Sequence, residues 1–311
     1  MPAAARGFAD RDDVRVFVTE MENRHDFRAD ELLGLFGQIQ PLPSVIKAIM
    51  PPADPGIRSW QAYRGRFIER KRIAAGLRFW GEHRATLAKA RALYGVPEEI
   101  IVAIIGIESI YGRNTGRFGT MAALATLAFD YPPRAELFRR ELEALLLLAR
   151  EQGLDPLSYR GSYAGALGLP QFLPSSMRQW AVDFDGSGRT DLAASADDAI
   201  GSVANFLREH GWQQGEPITT RVEIDGDPKS LIDEGIRPVR LPAEMATMGV
   251  SPASLATVAQ QPAALIDLVT PAAPTEYWLG YRNFFVITRY NRSSFYAMAV
   301  IQLAEALKAA H

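Results

Sequence analysis

Residues 100–107 read Ile-Ile-Val-Ala-Ile-Ile-Gly-Ile, and the run ends on a carboxylate, Glu108. No polar face interrupts the run, so the helix it forms is a buried one. Pro97 suits the first helical turn, and Glu98 and Glu99 complement the positive end of the dipole. Gly112 is expected to end the helix. A carboxylate on so apolar a segment is costly to bury unless it is paired or keeps its proton. A carboxylic acid held neutral near pH 7 is a general acid. The competing reading is a buried glutamate paired to an arginine such as Arg113, and the residues alone weigh the two evenly.

Several classes fall away on composition. The 311 residues are 48% hydrophobic and 23% charged, with a net charge of -2 and no basic stripe, so nothing points to a nucleic-acid partner. The chain has no cysteine, which excludes disulfides, thiol catalysis and thiolate metal sites. Its histidines, His25, His83, His210 and His311, form no close pair on a helix face, which argues against a zinc hydrolase. Residues 1–13 lack the apolar core of a signal peptide, and no run of about 18 apolar residues follows. Read literally, this is a soluble cytoplasmic chain; the other reading is a chain whose targeting segment has been removed.

The patterning is mainly α, in an α+β arrangement. Val14, Phe17, Val18 and Met21 recur at helical spacing, and residues 10–50 are expected to form two or three short helices broken by Pro41, Pro43, Pro51, Pro52 and Pro55. Residues 57–94 read as two helices with Tyr63, Phe67, Leu77, Phe79 and Trp80 buried. Residues 135–152 read as a strong helix with Leu142, Leu145, Leu146 and Ala149 on one face, capped by Gly153. After Gly211 the β-branched content rises, and residues 218–224, 237–241 and 281–290 are expected to be strands. Residues 294–309 close the chain as a helix.

Three further segments carry candidate chemistry. GSYAGALGLPQFLPSS (161–176) brings Ser162 and Gln171 into a run of glycines and tight turns, where backbone, amide and hydroxyl groups approach a neutral ligand such as a sugar. Read alone, it favours a close-packed connection between helices. DFDGSGRTD (183–191) resembles the first half of an EF-hand loop, with Asp183, Asp185, Ser187 and the Arg189 carbonyl as oxygen donors and Asp191 at the water-linked position. The twelfth position is Ala194, so a bidentate ligand must come from Asp197 or Asp198. The alternative is an Asx turn. RYNRSSFYAMAV (289–300) clusters Tyr290, Asn291 and Tyr296 at an expected strand-to-helix junction, suited to sugar stacking or to plain core packing.

These segments, in this order, resemble the lytic transglycosylases of the membrane-bound lytic transglycosylase B type, peptidoglycan-cleaving enzymes with a lysozyme-like core. The stretches 120–138 and 197–212 share the likeness, which runs from about Phe8 to Ala306. The resemblance implies an N-terminal helical region (1–75), a lysozyme-like catalytic core with a calcium loop (76–212), a small β-rich domain (213–288) and a C-terminal helix returning to the helical body (289–311). It implies Glu108 as sole catalytic acid and base, and Tyr63, Arg134, Ser162, Gln171, Phe206, Tyr290, Asn291 and Tyr296 as substrate-binding residues. It implies Asp183, Asp185, Ser187, Arg189 and Asp198 as ligands of a structural calcium ion, with no cofactor for catalysis. The implied partner is the glycan strand, and the implied setting is a monomer in the periplasm, anchored at the outer membrane through a segment not visible here.

The likeness has departures. Pro133 replaces the first of two neighbouring arginines, Phe206 replaces a tyrosine, Leu137 stands where an aromatic residue occurs, and Ser187 takes the place of a carboxylate in the metal loop. Most glycosidases use two carboxylates. The nearest candidate for a second is Asp130, beside Tyr131, and it is unconvincing. The expected reaction is therefore nonhydrolytic cleavage of the β-1,4 bond between N-acetylmuramic acid and N-acetylglucosamine, giving 1,6-anhydromuramoyl products. The alternatives are a muramidase-type hydrolase of the same bond and a noncatalytic peptidoglycan-binding protein.

Overall fold

The computed structural model describes residues 7–51, 58–251, 253 and 258–311. It is mainly helical with a small β-rich part. In chain order come α1 (Asp12–His25), α2 (Ala29–Gly37), α3 (Pro43–Ile49), α4 (Trp60–Gly65), α5 (Arg70–Glu82), α6 (Arg84–Tyr94) and α7 (Glu98–Ser109). There follow β1 (Phe118–Gly119), α8 (Thr120–Asp130), α9 (Ala135–Gln152), β2 (Arg160–Gly161), α10 (Pro174–Trp180) and α11 (Ala196–Glu209). Strands β3 (Thr219–Val222), β4 (Ala264–Leu268) and β5 (Glu276–Gly280) precede two closing helices, Arg282–Ile287 and Ser294–Ala310. The chain forms two compact units, each from two separate stretches: Met1–Ala53 with Gly112–Ala199, and Asp54–Tyr111 with Ile200–His311. The four segments implied by the resemblance count consecutive residues, whereas these units interleave them.

The first unit is built on helical periodicity. Val14, Phe17, Val18 and Met21 of α1 are all buried, and they share one core with Leu32 and Phe36 of α2, Val45 of α3, and Phe138, Leu142, Leu145 and Leu146 of α9. Phe36 and Phe129 meet Phe8 and Phe17 with ring centroids 5.9–6.4 Å apart, tilted or edge-on, as aromatic quadrupoles prefer. Each fully buried side chain of this kind stabilises the unit by roughly 1.5–3 kcal/mol. Glu141, only 4% exposed, accepts hydrogen bonds from the Ser175 N–H at 3.0 Å and the Ser175 hydroxyl at 2.6 Å. Ser175 therefore anchors the first turn of α10, whose N–H groups have no partner within the helix. β1 and β2 pair antiparallel, Phe118 opposite Gly161.

In the second unit α7 packs against α5, α6 and the helix Ser294–Ala310, and every residue from Ile100 to Ile107 is buried. The sheet has the order β3-β5-β4, all antiparallel, with Trp278 opposite both Arg221 and Ile266. Leu231, Met245, Val250 and Tyr281 pack with its buried residues into a second small core.

Four local expectations need correction. Residues 281–290 hold the short helix Arg282–Ile287, not a strand; Asn283, Phe284, Val286 and Ile287 are all buried, and a short apolar run carries no periodicity to tell the two apart. Residues 237–241 make only an isolated bridge, Arg240 to Ala263, while the strands lie at β4 and β5. Residues 58–94 form three helices, not two. Helix α7 ends before Gly112, because Ile110 and Tyr111 already adopt left-handed backbone with φ of 54° and 56°. Pro52, Pro55 and residue 57 lie outside the described residues. Among the described residues no helix is long and apolar enough to cross a membrane.

Gly153 ends α9 at φ 65° with open space where a Cβ would stand, so Gly153→Ala adds backbone strain and no clash. The variant is expected to lose about 1 kcal/mol, read as a lower urea midpoint at unchanged m-value.

Candidate active site

Glu108 sits in the last turn of α7 between buried Ile107 and Ser109, yet it keeps partial exposure of its own. Its Oε1 accepts a hydrogen bond of 2.6 Å from the hydroxyl of Tyr296, a residue 3% exposed. The carboxyl is pushed up from 4.5 to about 7, first by burial, with the Tyr296 hydrogen bond pulling the other way. Among the described residues it forms no ion pair, so the arginine-paired reading does not hold here. With Oε1 taken by the phenol, the proton of the neutral acid belongs on Oε2.

Three phenols share this environment. Tyr290 stacks on Tyr296 with centroids 6.4 Å apart and an interplanar angle of 14°. Tyr290 and Tyr296 are held well above the ordinary phenol range by burial and by the charge of Glu108, and Tyr63 is raised for the same two reasons. All three therefore stay protonated, and Tyr296 donates to Glu108. Phe206, 5% exposed, meets Tyr290 edge-on at 4.9 Å and stacks on His210 at 3.9 Å. Tyr63 packs against Phe67 at 5.1 Å and Phe295 at 5.6 Å. Asn291 is exposed, in the turn between the helices Arg282–Ile287 and Ser294–Ala310, so the expected strand-to-helix junction is a helix-to-helix one.

The remaining expected residues lie in the other unit. The Ser162 hydroxyl oxygen accepts from the N–H groups of Ala164 and Ala166 at 3.2 and 3.0 Å, which shapes the loop. Gln171 stands at φ 52°, and its amide nitrogen donates to the carbonyls of Thr115 and Gly168 at 3.1 and 2.8 Å. Arg134 is exposed, with its guanidinium 5.6 Å from the Phe138 ring centroid. Asp130, the second-carboxylate candidate, is held by Arg11 at 2.6 Å.

Asp183, Asp185 and Asp198 bring carboxylate oxygens within 4.8 Å of one another. Asp198 is fully buried, and its two oxygens accept from the N–H groups of Phe184, Asp185 and Asp191. Asp183 accepts from the N–H groups of Ser187 and Gly188, and the Ser187 hydroxyl donates to the Arg189 carbonyl. An all-oxygen donor set preformed by backbone turns fits a hard cation such as calcium.

Sequence reasoning passed over Arg72 and Tyr111. Arg72 shares one face of α5 with Ala75, Gly76, Phe79 and Trp80, and a charge on that apolar stripe was a readable signal of the same kind as Glu108.

Residues 9–305 match the family model described as Transglycosylase SLT domain. Membrane-bound lytic murein transglycosylase B of Escherichia coli K12 is 40% identical over 310 residues, 96% of this chain and 84% of that protein. The crystal structure of soluble lytic transglycosylase SltB1 from Pseudomonas aeruginosa agrees at a TM-score of 0.89 and 47% identity, covering 96% of this chain and 99% of that one. The structure of Escherichia coli Slt35 in complex with calcium agrees at 0.84 and 38% identity, covering 97% and 95%.

A raised carboxyl destabilises the fold as pH climbs. Its neutral form is favoured below the ordinary 4.5, and stability is lost as pH rises towards about 7. The loss at pH 8 is at most about 3 kcal/mol. Glu108→Gln removes it, so urea unfolding is expected to show the variant more stable than wild type at pH 8, with the gap closing by about pH 4.5.

Proposed function

The chain belongs to the transglycosylase SLT domain family, and on that premise we propose that it is a lytic transglycosylase of peptidoglycan. It cleaves the β-1,4 bond between N-acetylmuramic acid and N-acetylglucosamine and leaves a 1,6-anhydromuramoyl end. The observation that carries this reading is the carboxyl of Glu108, held near pH 7 by burial among protonated phenols and without a cationic partner among the described residues.

The reaction follows from a single carboxyl. Glu108 gives its proton to the leaving glycosidic oxygen. With no second carboxylate acting on Glu108 among the described residues, the substrate's own N-acetyl oxygen attacks the anomeric carbon from the opposite face, a recognised substrate-assisted route. Glu108, now ionised, takes the proton of the muramoyl C6 hydroxyl, whose oxygen attacks the same carbon, displaces the N-acetyl oxygen to restore the acetamido group and closes the anhydro ring. An intramolecular nucleophile has an effective molarity on the order of 10⁵ M or more, which lets it outrun water in a partly dry site. Tyr63, Tyr290, Asn291 and Tyr296 supply ring faces and polar tips for the sugars. Phe206 supports the Tyr290 ring and brings no hydroxyl. Ser162 donates to the glycan and Gln171 accepts from it; Arg134 meets the peptide stem.

The loop formed by Asp183, Asp185, Ser187, the Arg189 carbonyl and Asp198 binds calcium as a structural ion. Its oxygen donors support this, as does the calcium complex of the 38% identical Slt35. The protein works as a monomer on glycan strands in the periplasm, at the outer membrane; the name of its membrane-bound relative supports the anchored setting.

Purified sacculi are expected to yield 1,6-anhydromuramoyl products by mass spectrometry, and products heavier by one water would make the enzyme a hydrolase instead. Glu108→Gln is expected to lower turnover by about 10²–10⁴-fold while glycan binding persists.

Calcium at about 100 times its Kd is expected to stabilise the fold by about 2.7 kcal/mol, read as a rise in Tm that Asp183→Asn removes. Chelation is expected to leave turnover unchanged at low temperature.

A further inference from the structure

Arg72 is 7% exposed on the apolar face of α5, where an aliphatic side chain would pack at no electrostatic cost. Among the described residues it forms no salt bridge. Burial works against its charge, while Glu69 and Tyr111 favour it through space. Its guanidinium spends its hydrogen bonds on carbonyls: one nitrogen donates to Gly106 at 2.6 Å, another to Arg66 at 3.2 Å, and the plane lies 5.2 Å from the Phe67 centroid.

Those two carbonyls belong to the two segments that bear the acid and one of its phenols. Gly106 stands two residues before Glu108, and its carbonyl also accepts the Ile110 N–H that closes the last turn of α7. Arg66 and Phe67 follow directly on α4, which carries Tyr63. The last turn of α7 has no basic residue of its own, so Arg72 brings positive charge to the negative end of that dipole from a neighbouring helix. The exit it braces is strained. Two successive non-glycine residues in left-handed backbone, Ile110 and Tyr111, cost roughly 1–2 kcal/mol each. Tyr111 is pinned by shape: a Cβ on Gly76 of α5 or Gly106 of α7 would run into its hydroxyl, and its ring lies 5.4 Å from Phe79.

We propose that Arg72 is a positioning residue for Glu108, fixing the last turn of α7 and the Tyr63 segment in one register through its bonds to Gly106 and Arg66. The proposal rests on Glu108 being the general acid. The groups that act on the Glu108 carboxyl are the phenol of Tyr296 by hydrogen bond and burial, with Tyr63 and Tyr290 facing its charge. Arg72 is not among them, so it acts through geometry. A displacement of about 1 Å in a reacting group costs on the order of 100-fold in rate.

The test compares Arg72→Met and Arg72→Lys with wild type on soluble glycan strands. It also follows the Glu108 carboxyl by carbon-13 NMR titration, assigned with Glu108→Gln. Arg72→Met is expected to lower kcat per folded molecule by roughly 10–100-fold with KM within about two-fold. It is also expected to move the Glu108 titration down from near 7, because a loosened turn admits water. Arg72→Lys, which reaches one carbonyl but not both, is expected to show the same changes at smaller size. A folded Arg72→Met with kcat and titration unchanged overturns the proposal. So does a lower Tm alone, or a titration that moves upward, which would mark a through-space charge effect. If Arg72→Met does not fold, unchanged kcat and titration in Arg72→Lys overturn it. If Glu108→Gln turns over as fast as wild type, the enzymatic reading fails, and the titration still decides whether Arg72 holds Glu108.

Discussion

Burial of one carboxyl without a counter-cation among the described residues is the constraint on which this structure depends. A glutamate inside protein has two ways to become tolerable: an ion pair, which keeps it charged, or a retained proton, which keeps it neutral. An arginine partner would have made Glu108 a structural charge. The phenol of Tyr296 at 2.6 Å gives it a donor and leaves the proton in place. Everything around it serves that choice. Ile100 to Ile107 exclude water on the helix side, and the phenols of Tyr63, Tyr290 and Tyr296 are too weakly acidic to release a second charge beside it.

The scaffold meets this constraint with a rigid helix end. Helix α7 is packed between α5, α6 and the helix Ser294–Ala310, and it turns out of its last turn through backbone that β-branched and aromatic residues normally avoid. Such strain persists only where neighbours over-determine the conformation. Here the neighbours are the slot between Gly76 and Gly106, which receives Tyr111, and the guanidinium of Arg72 on the Gly106 carbonyl. The glycines matter as empty space rather than as flexible hinges.

Much of this was legible in the residues. The apolar run ending on Glu108, the periodic helix 135–152 and its Gly153 cap, and the burial of Val14, Phe17, Val18 and Met21 follow from spacing alone. The run Tyr281 to Tyr290 misled because its apolar core, Phe284 to Ile287, is too short to show a periodicity of its own. Gly112 misled because glycine is the usual left-handed residue, whereas tertiary packing forces that conformation on Ile110 and Tyr111 first. The Glu108–Tyr296 bond was out of reach for a different reason: 188 residues separate the partners, and no local pattern encodes a pairing at that range.

The two influences on Glu108 oppose each other, and their balance matters more than either. Burial alone would lift the carboxyl further, giving an acid that protonates readily but a conjugate base slow to form at neutral pH. The Tyr296 hydroxyl favours the ionised form and draws the value back to about 7. A group that must first give a proton and then take one performs best when both forms are accessible at the working pH. The phenol can do this without adding charge, since burial and Glu108 itself keep Tyr296 protonated. A lysine or arginine in the same place would stabilise the carboxylate and keep it charged near neutral pH. The site is thus set by a neutral donor on a buried acid, which is what the proposed use of one carboxyl for both steps requires.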